Sequence, residues 1–276
     1  MPIIQAIVLG ITQGLSEFLP ISSSGHLILV RWLFGWDELQ PESVAKAFDV
    51  ALHLGTLIAV VAYFWRDLIV YVREGVLLVV KRQRPSTAEG RLAWLLVLSA
   101  VPAGIVGALF ESVIDEHLGT PFVIAISLIV FGLVLGWADR LPGERPAEGY
   151  RAADALAVGA AQVLALSPGT SRSGITMTAA RMKGFSRDAA ARLSFLMSIP
   201  VIAGAVVFKL GGLFADGVPD GLGVPMVVGI VTAGLSGWLA VWGTIRLVRT
   251  RSFMPFVVYR CVLGVAVLVL LATPWR

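Results

Sequence analysis

Cysteine, histidine and charge are all scarce in this 276-residue chain. It holds one cysteine and three histidines, and Asp, Glu, Lys and Arg together make up 14% of it. A single cysteine excludes a disulfide framework and any CxxC metal or redox pair. Three histidines leave little for a histidine-rich metal centre. GxxxxGK is absent, and so is GxGxxG after a strand, which removes the ordinary nucleotide sites. Ordinary globular chains carry roughly 25% charged residues, so the shortage is large. What is present instead is apolar: 57% hydrophobic residues and a mean hydropathy of +0.84. A soluble domain of this size could not cover itself with so few charges. The formal charge of +4 is gathered between apolar runs, which suits membrane topology and not nucleic-acid binding. The chain reads as an all-α polytopic membrane protein, one integral domain over 1–276, surrounded by membrane lipids and with no nucleic-acid partner.

At about 20 apolar residues per crossing, six stretches are long enough to span: roughly 45–65, 92–110, 121–138, 188–210, 224–245 and 255–273. Two more apolar stretches are interrupted. Residues 2–34 break at Glu17-Phe18-Leu19-Pro20 and Ser22-Ser23-Ser24-Gly25; residues 153–184 break at Ser167-Pro168-Gly169-Thr170-Ser171-Arg172-Ser173-Gly174. Each half is about 10–16 residues, the length of one arm of a re-entrant hairpin. Connections 66–91, 139–151 and 246–251 are rich in arginine and lysine, whereas 111–120 and 212–222 carry acidic residues and neither Lys nor Arg. The positive-inside rule puts the first three in the cytoplasm and the last two outside. The sides then alternate only if both broken segments return to the face they entered from, and those faces are opposite. The C-terminus falls outside. Arg31 and Lys46 run against this trend.

The chain also repeats. Gly10-x-x-Gln13-x8-Ser22-Ser23-Ser24-Gly25 matches Gly159-x-x-Gln162-x8-Ser171-Arg172-Ser173-Gly174 at a constant offset of 149, and Pro121-Phe122-Val123 is echoed by Pro255-Phe256-Val257. Repeat 1 covers about 1–138, with hairpin 2–34 and three spans. Repeat 2 covers about 152–276, with hairpin 153–184 and three spans. An odd number of crossings per repeat makes the second inverted relative to the first, an architecture shared with transporters. The first apolar stretch has no basic leader and is interrupted by Glu17, so no cleavable signal peptide is expected. Residues 67–84 read as a helix lying at the cytoplasmic interface.

Chemistry-bearing residues gather at the two breaks. Gln13 and Glu17 share a helix face at i, i+4. Pro20 stops that helix, and Ser22, Ser23 and Ser24 can cap a new one, whose N–H groups form an anion site. Glu17 and His26 supply an acid/base pair, and a serine hydroxyl supplies a nucleophile. Capping explains the serines alone, but not a carboxylate and an imidazole at membrane depth. The second break has the composition of a phosphate loop: Gly169, Thr170, Ser171, Ser173 and Thr176 around Arg172, whose fork suits phosphate. The repeat places Arg172 at the tip of its hairpin, facing the first cluster. Asp49 and His53 sit at i, i+4 on one span, where they fit either partners of the site or a hydrated face. Arg192 and Arg260 lie near cytoplasmic ends and are expected to snorkel.

These residues resemble a known family. Glu17-Phe-Leu-Pro-Ile-Ser-Ser-Ser-Gly-His26 and Pro168-Gly-Thr-Ser-Arg-Ser-Gly174 are similar to the two signature motifs of the bacterial undecaprenyl-diphosphate phosphatases, the bacitracin-resistance (BacA/UppP) family. The likeness extends to Phe48-Asp-Val…His53-Leu-Gly-Thr56 and Arg192-Leu-Ser-Phe…Ile-Pro200. The resemblance implies removal of the terminal phosphate from a C55 lipid diphosphate in the bacterial inner (cytoplasmic) membrane. It also implies recycling of the lipid carrier for cell-wall synthesis, bacitracin resistance, a periplasm-facing site and a divalent metal, Mg²⁺ with Ca²⁺ as the alternative. It implies Glu17, His26 and Arg172 as essential residues, Ser23 as nucleophile and the neighbouring serines as phosphate contacts. Glu17 would be the metal ligand. The family's first motif begins with Glu or Gln; here it is Gln13, so a metal held by two carboxylates is not expected. From the residues alone, Ser23, His26 and water all stay open as nucleophile. The competing class is a lipid-phosphate flippase or ion-coupled transporter, favoured by the repeat architecture alone. A homodimer is compatible with the sequence.

Overall fold

The computed structural model describes residues 1–36, 42–81, 87–216 and 221–274, and their regular structure is helical throughout. Arg82 and Arg84 of connection 66–91 and Asp220 of connection 212–222 lie outside the described residues, as do the side chains of Glu111, Asp115, Glu116 and Asp216 in the acidic connections. Eleven helices are described: α1 Ile3–Phe18, α2 Ser23–Phe34, α3 Glu42–Tyr63, α4 Trp65–Lys81, α5 Ala88–Leu118, α6 Pro121–Asp139, α7 Ala152–Val163, α8 Arg172–Met182, α9 Arg187–Asp216, α10 Gly223–Val248 and α11 Met254–Ala272. Six carry a stretch long and apolar enough to cross a bilayer: Val44–Tyr63, Ala88–Phe110, Pro121–Asp139, Arg187–Phe208, Gly223–Val248 and Met254–Ala272. The protein is a polytopic membrane protein, with six candidate transmembrane helices among the described residues. Their outer faces stay apolar, with Val101, Leu133, Leu235 and Val262 among many exposed side chains that lipid would cover.

The two broken segments form helix pairs of matched local geometry. In the first, Pro20 forces Leu19 into extended backbone and ends α1. Ser22 then takes φ 79° and accepts the Gly25 N–H on its hydroxyl, starting α2. In the second, α7 tightens into a 3₁₀ turn at Leu164–Leu166, and Ser171 takes φ 76° and accepts the Gly174 N–H, starting α8. These two serines are the non-glycine residues with positive φ among those described. Such backbone costs about 1–3 kcal/mol and persists only where surroundings enforce it. Starts and caps in the two pairs are related by the sequence offset of 149.

Packing explains the glycine of each repeat motif. Helix α1 lies along α10, and α7 lies along α5. A Cβ on Gly10 would meet the Thr232 hydroxyl, and one on Gly159 would fall 2.6 Å from the Ser99 carbonyl oxygen. Backbones can approach this closely only over small residues, the usual device where lipid removes the hydrophobic drive for helix association. Helices α6 and α11 pair with each other, and α3 fits between α10, α9 and α1. Helix α4 rests on α5 through a Trp94 Nε1 bond to the Gly75 carbonyl at 3.0 Å. At the end of the second pair, buried Arg181 donates to the carbonyls of Asp139, Leu141, Gly143 and Phe185, closing the C-termini of α6 and α8 together.

Two arginines expected to snorkel part company. Arg192 is partly exposed and reaches Asp67 at the start of α4 at 2.8 Å. Arg260 does not snorkel: it is fully buried on α11, because carbonyls freed by both helix breaks gather around it and replace water.

Candidate active site

The two breaks meet, and Glu17 is where they join. Its Oε1 accepts Arg172 Nη2 at 2.9 Å across the hairpins. Its Oε2 accepts Ser23 Oγ at 2.5 Å and Gln13 Nε2 at 3.0 Å. His53 Nε2 lies 3.9 Å from the same oxygen. The position of each group follows from the local sequence. Gln13 and Glu17 are one turn apart on α1. Pro20 turns the chain so that Ser23, at the first position of α2, comes back against Glu17. Arg172 is the first residue of α8, so both a hydroxyl and a guanidinium project from helix N-termini. A carboxylate is stable here because it receives three hydrogen bonds, one of them from the Arg172 guanidinium.

His26 stands apart from this cluster. Its Nδ1 donates to the Ser22 carbonyl at 2.6 Å, which leaves Nε2 to accept the Tyr259 hydroxyl at 2.8 Å. The two rings stack at 5.7 Å. The ring therefore braces the positive-φ backbone of Ser22. Ser22 Oγ in turn accepts the Gly169 N–H of the other hairpin at 3.0 Å. The second cluster divides similarly. Ser173 Oγ donates to the Leu19 carbonyl at 2.9 Å, Ser171 Oγ pairs with Ser173 Oγ, and Thr176 pairs with Ser194 on α9. Thr170 is buried and its hydroxyl has no partner. Ser24 is exposed and bonds none of these groups.

Asp49 and His53 separate. Asp49 is gripped by both Nη atoms of Arg31, at 2.5 and 3.0 Å, fixing α2 to α3. His53 donates from Nδ1 to the Asp49 carbonyl at 2.7 Å and turns Nε2 toward Glu17. The sequence set His53 beside Asp49 and in a family-like segment, and it led to the expectation that Arg260 snorkels; it gave no role to Tyr259 or Ser194. A Tyr-Arg pair inside an apolar span was the available signal.

Donor chemistry bears on a metal. Among the described residues, no three His, Cys, Asp or Glu side chains gather as a metal cage. Gln13 Oε1, however, is buried at the cluster with no hydrogen-bond partner. One carboxylate and one free amide oxygen suit a hard cation that draws its remaining ligands from phosphate oxygens and water. The residues fit a metal shared with a phosphate ligand, not a dedicated protein cage.

The sequence matches the family described as Bacitracin resistance protein BacA over residues 6–266. It is 47% identical to the undecaprenyl-diphosphatase of Pelobacter propionicus over 275 residues, covering 99% of this chain and 98% of that protein. It is 45% identical to the undecaprenyl-diphosphatase of Pelotomaculum thermopropionicum, with the same coverage. The undecaprenyl-diphosphatase of Geobacter sulfurreducens is 47% identical over 97% of this chain. With both signature segments inside a match that runs nearly end to end, the chain belongs to the bacitracin resistance protein BacA family.

Proposed function

We propose that this protein hydrolyses undecaprenyl diphosphate to undecaprenyl phosphate and inorganic phosphate, recycling the lipid carrier. The observation that carries this reading is the Ser23–Glu17–Arg172 arrangement: hydroxyl on carboxylate at 2.5 Å, guanidinium on the same carboxylate at 2.9 Å. A pure binding site needs no base against a hydroxyl. Here Glu17 takes the Ser23 proton while Ser23 Oγ attacks the terminal phosphorus. The bond from that phosphorus to the bridging oxygen breaks, and Glu17 passes the proton to the undecaprenyl phosphate as it leaves. Water then attacks the phosphoserine and gives its proton to the freed Glu17; the bond from phosphorus to Ser23 Oγ breaks, Glu17 returns the proton to Ser23 Oγ, and inorganic phosphate departs. Arg172 and the N-termini of α2 and α8 stabilise charge on the transferring group. His26 keeps Ser22, and hence Ser23, in register. A divalent cation, Mg²⁺ or Ca²⁺, would take a Glu17 oxygen and Gln13 Oε1 as protein ligands and, when bound, neutralise phosphate charge.

The lipid enters with its tail in the bilayer and its diphosphate at the hairpin tips. The reading includes six crossings, two re-entrant hairpins from opposite faces, a multi-pass place in the cytoplasmic membrane and a site open to the outer face. Loop charges support that orientation. Purified protein in detergent, without any gradient, should release phosphate from undecaprenyl diphosphate. Lipid movement in vesicles with no phosphate release would instead favour the flippase reading.

A further inference from the structure

We infer that Arg260 is a positioning residue that holds the two helix breaks in register and so sets the alignment of Ser23 with Arg172. This rests on the phosphatase reading above. The Arg260 guanidinium spends its donors on main-chain oxygens of three separate elements. Nη1 bonds the Pro20 carbonyl at 3.1 Å, at the first break. Nη2 bonds the carbonyls of Gly169 and Thr170, both at 2.9 Å, at the second break, and that of Ser127 at 3.3 Å. Nε bonds Leu128 on α6 at 3.1 Å. Each break frees carbonyls that helix continuation would have satisfied, and around the fully buried Arg260 no water reaches them. One planar fork serves both breaks at once.

The surrounding sequence is cut to admit it. A Cβ on Gly174, in the second signature segment, would fall 2.9 Å from Arg260 Nη1. A Cβ on Gly132 of α6 would fall 3.2 Å from Arg260 Cβ and 3.4 Å from Nε. Among the described residues no carboxylate pairs with Arg260. An arginine kept for charge balance or for substrate contact would not commit Nε, Nη1 and Nη2 alike to carbonyls. Glu17 sits three residues before Pro20, and Arg172 two residues after Thr170. A shift at the clamp is therefore passed directly to the reacting groups.

The test compares wild type, Arg260→Lys and Gly132→Ala, measuring phosphate release from undecaprenyl diphosphate, thermal unfolding in detergent and backbone hydrogen exchange. Lysine keeps the charge but gathers its donors on one nitrogen, so it cannot span Pro20 and Gly169 together. We expect kcat to fall on the order of 10²-fold with KM changed by less than about threefold, the signature of misalignment and not of lost binding. Exchange should quicken in 19–25 and in 167–174 together. Gly132→Ala, which touches no group of the site, should lower kcat severalfold in the same sense. It carries the test if Arg260→Lys yields no folded protein. Wild-type kcat in a folded variant, or lower melting temperature with unchanged turnover of the folded protein, would overturn the inference. Faster exchange at one break alone would also overturn it. If wild type itself releases no phosphate, the phosphatase reading fails, and the exchange measurement still decides whether Arg260 clamps both breaks.

Discussion

Glu17 serves several partners at once, and its neighbours divide the consequences. If Arg172 stabilises charge on the transferring phosphoryl group, Arg172→Lys should lose on the order of 10²–10³ in kcat although the charge is kept. Phosphate release by the purified variant checks this, and near-wild-type turnover would reduce Arg172 to a partner of Glu17. Base and metal roles can be told apart at neighbouring positions. Glu17→Gln leaves Ser23 without a proton acceptor and should stay inactive at every Mg²⁺ concentration. Gln13→Ala removes the unpartnered Oε1 and leaves the Ser23–Glu17 bond in place. It should need more Mg²⁺, while kcat at saturating Mg²⁺ stays within about tenfold of wild type. Metal titrations of both variants decide it: rescue of Glu17→Gln by Mg²⁺ would assign the carboxylate to the metal alone.

Among the elements, the hairpin arms depend on close backbone contact. Gly159 holds α7 against α5 with no room for a Cβ beside the Ser99 carbonyl. Gly159→Val should destabilise the protein by about 1–3 kcal/mol through overpacking, read as a lower melting temperature in detergent. An unchanged melting temperature would mean that α7 can move away freely. This is also the scale at which the sequence was most readable. Six spans came from hydropathy alone, because an apolar run of that length has few other fates. Both breaks came from Pro20, Pro168 and the serine runs. Arg260 was not readable in the same way. An arginine one or two turns from a span's end snorkels or stays buried according to which carbonyls lie near it. Those carbonyls come from Pro20, Gly169 and Thr170, far away in sequence. His53 was obscured for a related reason: its i, i+4 spacing from Asp49 is real, but only tertiary packing turns one toward Arg31 and the other toward Glu17.

For the molecule as a whole, opposite insertion of the two hairpins is open to direct measurement. Single cysteines at Trp36 and Ser186, with Cys261 replaced, should react with an impermeant thiol reagent from opposite sides of the membrane. Labelling of both from one side would break the inverted arrangement, though not the Glu17 cluster.

The offset of 149 has a last consequence. It sets Gln13 against Gln162 but Glu17 against Leu166, His26 against Ile175 and Ser23 against Arg172. The halves share a sequence frame but carry different side chains in it: one brings Glu17 and Ser23, the other Arg172. Leu166, at the position matching Glu17, cannot take a proton. On the proposed inverted arrangement, the molecule would thus have a single working side. Were it inserted upside down, it would keep its fold and every contact described above, yet present its chemistry to the wrong compartment. On the proposed orientation, the loop arginines would then be as necessary to lipid recycling as the groups proposed to touch phosphate.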